Sequence, residues 1–535
     1  MKSVIAKYKA EKKPIILQLY DIEKYFDKEM MEDAIQTCFG RNADPKAVRC
    51  WFKLNEETQI KVRTGVGMSK ARNVGAVVGQ GTIGGALVSQ AVLDDGIQQQ
   101  FQPGSEEELR YGSVPLAPVL WQDDVLHGVE GMKQARTSNI KINLMLKNRA
   151  LNLNSKKSVC MMIGTNKQKK QFTKEIHEKP LMCGNVETKE TNVDKWLGQL
   201  ISSKGLADSV LKTIESKEGK VKGACLEIAT IVEDWRSQVV GGMESALTMW
   251  EACCIPTLLS GAGTWTEIQP AAERRLDALQ NWFVRLILRV GPGCPAASLR
   301  WETGLLGMGL RVWVEKVMLV RHLRGLDTDA LARKVYEEQK QKDWPGLAKE
   351  TASICQELQI PDCNEADIWG MSTKEYRRMV TGRCKEVDMV RMMEEAGTSQ
   401  KCTRIMKEPY GKKPYMTKHL MAKVRQIFMT RVKMQPFAGN FPKDIRFSKT
   451  NWKCRCNLEI EQEEHLLSGV CPVYGDLLSL VGDERDDMSL LTVFTAILAR
   501  RGRMEEEDVR RSKQPVVAGY EATDSASPAK GRAST

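Results

Sequence analysis

Over the first two hundred positions, apolar residues fall into short runs bounded by turn residues; beyond them they recur at helical period. Residues 14–20, Pro-Ile-Ile-Leu-Gln-Leu-Tyr, form a near-continuous apolar run that reads as a strand closed by Asp21. Residues 29–39 have helical periodicity and stop at Gly40, and Asp44-Pro45 is a cap followed by a first-turn proline, so a second short helix starts there. Residues 58–64 alternate like a strand. Residues 77–85, Val-Val-Gly-Gln-Gly-Thr-Ile-Gly-Gly, form a glycine-rich loop opening a helix that runs to about Gln100, and 102–110 form an acidic loop. The apolar runs 114–120 and 125–126 flank Trp121-Gln122-Asp123-Asp124, which predicts a buried hairpin with an acidic tip, ending near His127-Gly128. A helix over about 129–148, a turn and strand over 151–164, and a short strand over 194–202 follow. From Leu206 to about Arg324 the pattern is helical, with one break at 291–295; 325–435 is charged and helical, punctuated by Pro345, Pro361 and Pro409. Residues 451–474 are a Cys/His segment. After about Arg500 the chain is charged, then rich in Ser, Ala, Thr and Gly, and is expected to be disordered.

The chain's 535 residues allow several domains and a sizeable core. A net charge of +12 is compatible with a polyanionic partner without requiring one. Fifteen scattered cysteines, several inside apolar patterns (Cys160, Cys253, Cys254), fit a reducing compartment better than a disulfide scaffold. No apolar run approaches a membrane span, and the basic start, 1–13, lacks a signal-type apolar core. The expectation is a soluble nuclear or cytoplasmic protein, neither secreted nor membrane-bound.

Adjacent carboxylates at the end of buried strands are costly unless paired or on a metal. Taken alone, Asp123-Asp124 reads most simply as a solvated turn. Asp21 also closes a strand, far earlier in the chain, and adjacent strands could bring the three together. Phosphoryl transfer by two metal ions needs such a set, carboxylates holding two Mg²⁺ about 3.5–4 Å apart.

Five motifs, in order, resemble the reverse transcriptase of non-LTR (LINE-type) retrotransposons. The stretch from Tyr20-Asp21 to Phe26-Asp27 is similar to the family's first palm motif, Asp-x-x-x-x-Phe-Asp. Gly79-Gln80-Gly81, followed by Gly84 and Ser89, is similar to its Gln-Gly-x-x-x-Gly…Ser motif, with the glycine one residue early. Trp121-Gln122-Asp123-Asp124 matches aromatic-x-Asp-Asp, Leu153-Asn154-Ser155-Lys156-Lys157-Ser158 matches Leu-Asn-x-x-Lys-Ser, and Lys195-Trp196-Leu197-Gly198 matches the Lys-aromatic-Leu-Gly hairpin. The resemblance implies an α+β fold. A right-hand polymerase palm, an antiparallel sheet with helices, would occupy 1–203. A mostly α-helical thumb-like region would follow over 204–330, a helical connector over 331–440, a zinc-knuckle-like segment over 441–490 and a disordered tail over 500–535.

The same resemblance implies RNA-directed DNA polymerase activity on an RNA template, a DNA primer and dNTPs. Asp21, Asp123 and Asp124 would hold two catalytic Mg²⁺, Phe26 would stack under the incoming sugar, Gln80 and Gly81 would line the nucleotide and template site, and Lys157 would sit near the triphosphate. Read from the residues alone, Phe26 is also a core aromatic, the glycine loop an ordinary start to a helix, and Lys157 a solvated surface lysine. Residues 243–265 and 276–289 resemble the family's helical region after the palm. Arg274, Arg275, Arg285 and Arg289 there either track a phosphate backbone or lie on a solvated helix face.

Cys454, Cys456, His465 and Cys471 offer three thiols and an imidazole, a set that suits a structural Zn²⁺ site. The spacing is not that of a standard zinc finger, and ordinary buried thiols with His465 packed on a helix face explain it too. The surrounding Glu463-Glu464-His465-Leu466-Leu467 resembles the zinc-knuckle-like segment near the end of many such polymerases. Only twenty residues precede Asp21, where the family has roughly a full fingers subdomain, and no nuclease constellation stands out, so a truncated copy is expected. The alternative function is a catalytically inactive retrotransposon remnant that binds nucleic acid. The oligomeric state is left open.

Overall fold

The computed structural model describes residues 1–513 apart from 24, 26–30, 57–58, 62, 65–66, 74–82, 103, 106–107, 235–239, 362–367, 369, 398, 400–401, 403, 436, 438–452, 460 and 481–485. It is a mixed α+β structure with one five-stranded sheet, several short two-stranded pieces and many helices. Among the described residues no helix is long and apolar enough to cross a membrane.

The sheet is built from β1 (Ile15–Asp21), β2 (Val119–Trp121), β3 (Asp124–Val129), β4 (Val159–Ile163) and β5 (Lys189–Glu190), in the order β5-β4-β1-β3-β2. All its pairs are antiparallel except β4 with β5. β1 is central and buried from Ile15 to Tyr20, which explains its continuous apolar run. Its side chains alternate between the two faces of the sheet. Ile15, Leu17 and Leu19 pack with Val4, Ile5 and Tyr8 of α1 (Lys2–Ala10), whereas Ile16 packs with Met132, Phe172 and Ile176, and Tyr20 with Leu93, Ile97 and Ile142. The one polar residue inside β1, Gln18, is fully buried and fully engaged. Its amide donates to the Ala135 carbonyl (2.8 Å) and its oxygen accepts from the Ser138 hydroxyl (2.7 Å).

Two helices frame this second face, α2 (Ile83–Gln100) and α3 (Met132–Lys147). Several local expectations are corrected here. The run 114–120 is not one strand: Val114–Leu116 pairs with Leu109–Tyr111, and β2 begins only after Pro118, which has no N–H to give a ladder. The acidic loop at 102–110 accordingly gives way to a strand at Leu109. Val129 ends β3 rather than opening a helix, and Gly131 is the N-cap of α3. Residues 58–64 contain two short pieces, Gln59–Ile60 and Arg63–Thr64, with different partners. The stretch 194–202 is a hairpin, β6 (Val193–Trp196) and β7 (Gln199–Ser202), whose loop residues Leu197 and Gly198 both adopt positive φ (48° and 76°), as a tight turn between twisted strands requires.

A helical body follows, led by α4 (Leu206–Asp234), α5 (Pro270–Leu288), α6 (Met308–Gly325), α7 (Thr373–Ala396) and α8 (Met421–Arg431). Its largest core holds Trp250 stacked on Phe283 at 4.7 Å, with Trp265 and Trp301. The indole N–H of Trp265 donates to the Gln199 side chain (2.6 Å), whose amide donates to the Ser260 carbonyl (2.5 Å), so β7 is keyed into that core. Arg275 bonds Glu215 and Glu218, Arg285 bonds the Cys294 carbonyl and Arg289 bonds Glu233, so these three arginines of the α5 region are engaged within the chain. The last helix, α9 (Asp487–Lys513), corrects the expectation of disorder from residue 500: its apolar start (Leu490, Val493, Phe494, Ile497) is buried, and Arg500 and Arg501 extend the anchorage through Asp476 and Glu461. Residues 514–535 lie outside the described residues.

One buried ion network ties the helices together. Arg431 donates to both oxygens of the fully buried Glu302 (2.7 and 3.0 Å), to Glu408 (2.8 Å) and to Asp487, and the Tyr415 hydroxyl donates to Glu302 as well (2.8 Å). Burial raises the Glu302 carboxyl and Arg431 opposes that rise. Arg431→Met would leave Glu302 buried without its cation and is expected to cost about 3–5 kcal/mol, read by chemical denaturation. Adding Glu302→Gln should recover part of that loss.

Candidate active site

The end of β1 is where the separated acidic residues meet. β2 and β3 are joined by the two-residue loop Gln122-Asp123; Trp121 pairs with Asp124, and Asp124 is in turn the Cα partner of Asp21. Directly paired residues of antiparallel strands project to the same face. Asp21 and Asp124 therefore share a face, with Asp123 at the adjoining tip. Gln122 takes the left-handed conformation (φ 54°), which is unfavourable for a residue with a side chain. The turn is held from two sides. The Gln122 N–H donates to the Gln90 side chain on α2 (2.8 Å), and the Ile22 N–H donates to the Asp123 carbonyl (3.0 Å). Behind it, the Tyr25 hydroxyl donates to the Ser89 carbonyl (2.5 Å).

The loop ahead of β4 closes the other side. The Asn154 N–H donates to the Asp21 carbonyl (2.7 Å), the Glu23 N–H to the Asn152 carbonyl (2.9 Å), and the Asp21 N–H to the Ser158 hydroxyl (3.3 Å). Asn154 also shapes its own turn, its side-chain oxygen accepting from the Lys156 N–H (3.1 Å). The result brings the exposed Lys157 ammonium to 3.1 Å from the Asp21 carboxylate, and that hydrogen bond holds the Lys157 pKa above its ordinary value. Asp124 is pushed up to about 6, first by burial, then by the negative charges of Asp123 and Asp21, with Lys157 opposing and Asp194 adding to the rise. Burial raises Asp194 as well.

Asp21, Asp123, Asp124 and Lys157 are thus brought to one sheet end. Phe26, Gln80 and Gly81 lie outside the described residues. Two participants were missed in the sequence, Gln90 and Asp194. Each adjoins a motif residue, Ser89 and Lys195, but a side chain that braces a distant turn leaves no local pattern. Among the described residues, one group of three or more His, Cys, Asp or Glu side chains has its ligand atoms all within 4.8 Å of one another, and it is not the aspartates but Cys454, Cys456, His465 and Cys471.

That second group sits on a tight loop and a short helix. The Cys454 N–H donates to the Glu459 carbonyl (2.7 Å), the Leu458 N–H points at Cys456 Sγ (3.4 Å), and Glu463–Leu466 carries His465. Cys456 Sγ lies 3.2 Å from His465 Nε2 and Cys454 Sγ lies 3.7 Å from Cys471 Sγ. Ligands about 2.3 Å from a tetrahedral centre stand about 3.8 Å apart, so the donor set fits a Zn²⁺ ion. His465 Nδ1 faces the Glu459 carboxylate at 3.2 Å, which leaves Nε2 as the nitrogen turned to the thiols. At Cys456 burial opposes the thiolate, but the Leu458 N–H and neighbouring donors outweigh it and bring the thiol down to about 7.

No protein-family model matches the sequence, and no curated protein does. Among solved structures, the chain is similar to apo telomerase from Candida tropicalis at 10% identity and a TM-score of 0.31, over 71% of this chain and 55% of that one. It is similar to telomerase from Candida albicans, in complex with a TWJ fragment of telomeric RNA, at 10% identity and a TM-score of 0.26, over 63% and 54% of the two chains. The chain spans about half the length of these telomerases.

The raised Asp124 carboxyl has a consequence for stability. The folded protein holds this proton more tightly than the unfolded chain, so its contribution is full below the ordinary value of 3.8 and is lost as pH rises through about 6. Asp124→Asn is therefore expected to stabilise the protein at neutral pH, on the order of 1 kcal/mol once solvent screening of this half-exposed group is discounted. Thermal denaturation should show no difference between the two proteins near the ordinary carboxyl value.

Proposed function

We propose that this chain is an RNA-directed DNA polymerase, a reverse transcriptase of the non-LTR retrotransposon type, extending a DNA primer with dNTPs on an RNA template. The observation that carries the reading is the pairing of Asp21 with Asp124, beside the Asp123 turn and the Lys157 ion pair. The order of the five motifs supports the retrotransposon class, and the nucleus or cytoplasm is the compartment it would work in.

Carboxylate oxygens are hard donors that suit Mg²⁺. Asp124 is lifted first by burial and then by the charges of Asp123 and Asp21, and that gathered negative charge makes this sheet end favourable for cations. Two Mg²⁺ bound there would supply activation of the primer hydroxyl and stabilisation of the pyrophosphate. Asp21 and Asp123 would hold them, with Asp124 beside them. In that reaction the primer 3′-oxygen would bond to the α-phosphorus as the bond from phosphorus to the oxygen bridging the α- and β-phosphates breaks, pyrophosphate would leave with that oxygen, and the hydroxyl proton would pass to solvent water. Lys157, already at the Asp21 carboxylate, would meet the triphosphate charge. Phe26 would exclude a 2′-hydroxyl, and Gln80 and Gly81 would line the nucleotide and template site. The group Cys454, Cys456, His465 and Cys471 would hold a structural Zn²⁺ that fastens the segment ahead of α9.

Asp123→Ala is expected to reduce primer extension on an RNA template roughly a thousandfold or more while leaving the fold intact. Unchanged extension in a folded variant would overturn the assignment. A second reading, a remnant that binds nucleic acid without synthesis, draws on the same Lys157 pair, because that contact neutralises one carboxylate. It predicts salt-sensitive RNA binding with no extension by the wild-type chain. For zinc, Cys456→Ser or a chelator should speed hydrogen exchange in residues 453–480 and in the start of α9 before the rest of the helical body. Exchange that stays unchanged on metal removal would count against the site.

A further inference from the structure

The sheet has a second charged end. Opposite the aspartates, a cavity of about 330 Å³ lies between the turn after α1, the start of the helix Asn166–Glu178 and the turn after β7. Lys9, Lys12, Lys13, Lys169 and Lys204 line it. Lys9, Lys12 and Lys13 belong to the basic start of the chain, and the fold brings Lys169 and Lys204 from two other elements to join them. β1 lies between this cavity and Asp21; its seven residues make the separation roughly 20 Å at a strand's rise per residue.

The walls are stitched together. The Gln168 side-chain amide donates to the Lys12 carbonyl (3.2 Å), and the Lys169 ammonium donates to the Ser203 carbonyl (2.7 Å). Lys9 pairs with Glu267 (2.6 Å) and Lys13 with Glu11 (3.0 Å). Among the described residues, Lys12 and Lys204 have no acidic partner within 4.0 Å. Burial and the nearby charge of Lys204 both lower the Lys169 pKa, the mark of cations held close without enough counter-charge. Ammonium groups from several directions suit a compact, multiply charged anion, whereas planar carboxylate recognition favours guanidinium forks. The volume falls at the small end of ligand sites, room for more than a single ion.

We propose that this cavity is a phosphoryl-binding site, distinct from the aspartate site, that takes consecutive phosphate groups. They would belong either to a single strand of nucleic acid passing behind the sheet or to a free oligophosphate. The test uses the full chain without added divalent metal and two probes, tripolyphosphate by calorimetry and a short fluorescent single-stranded RNA by anisotropy against salt. Lys12→Glu/Lys204→Glu is expected to weaken tripolyphosphate binding about tenfold or more at unchanged thermal midpoint, while Asp123→Ala does not weaken it. If the strand is the source, RNA affinity falls too and the slope of log K against log salt drops by about 1.4, the value for two phosphate contacts on a single strand. If only tripolyphosphate binding falls, the source is a free oligophosphate. Should the charge reversal fail to fold, Lys12→Gln/Lys204→Gln serves with a smaller loss. Equal affinities of wild type and folded variants for both probes would overturn the site.

Discussion

The register of β1 against β3 is the constraint on which the acidic end depends. Side chains on a strand alternate faces, so a slip of one residue would send Asp21 to the face opposite Asp124. Gln18 guards against that slip. In register, its buried amide is satisfied by Ala135 and Ser138; out of register, it would be stranded among apolar groups, at about 1–3 kcal/mol. The same strand that brings the carboxylates together thus carries the polar group that penalises misalignment.

Around that register, two loops do complementary work. The Gln122 turn is an unfavourable conformation stabilised by Gln90 and Ile22, and the loop ahead of β4 is closed onto β1 by Asn154 and Ser158. Leu151 and Leu153 anchor the second loop in the core beside Tyr20 and Ile22, and hydrogen bonds hold the tips. That suits a surface exposed to charged ligands. Strand ends commonly carry such sites because the loops vary while the sheet stays rigid. In this protein the two ends of one sheet differ in sign, carboxylates around Asp124 and lysines around Lys204. A polyanion meets repulsion at the first end unless cations accompany it, and attraction at the second.

The helical body is joined to the sheet and to the Cys/His segment by polar contacts as much as by its cores. Trp265 and Gln199 key β7 into the largest core, and Arg431 gathers Glu302, Glu408 and Asp487 from three stretches of chain. The Cys/His segment leans on the same region, with Arg404 bonded to Glu463 and Lys433 to Glu464. Cys454, Leu466 and Cys471 share a small core with Phe494 of α9, so order at the cysteines and order of the last helix are linked.

The sequence by itself determined most element types and the place of the acidic turn. The near-continuous apolar run 14–20 read as a buried strand, 206–324 read as helical with its break at 291–295, to which the structure adds breaks at 260–269 and 304–307, and Asp21, Asp123 and Asp124 were legible because each closes or joins an apolar run. Local period decides these things, since it reports which side chains share a face. What the period does not contain is which ends meet. Tertiary structure alone decided that Asp124 faces Asp21, that Gln90 braces their turn and Asp194 adds its charge, and that Arg500 and Arg501 of α9 pair with Asp476 and Glu461. It alone brought Lys169 and Lys204 to the lysines of the chain's basic start in one cavity. Each of these is a contact between residues remote in sequence, decided by sheet register and by the partners that burial supplies.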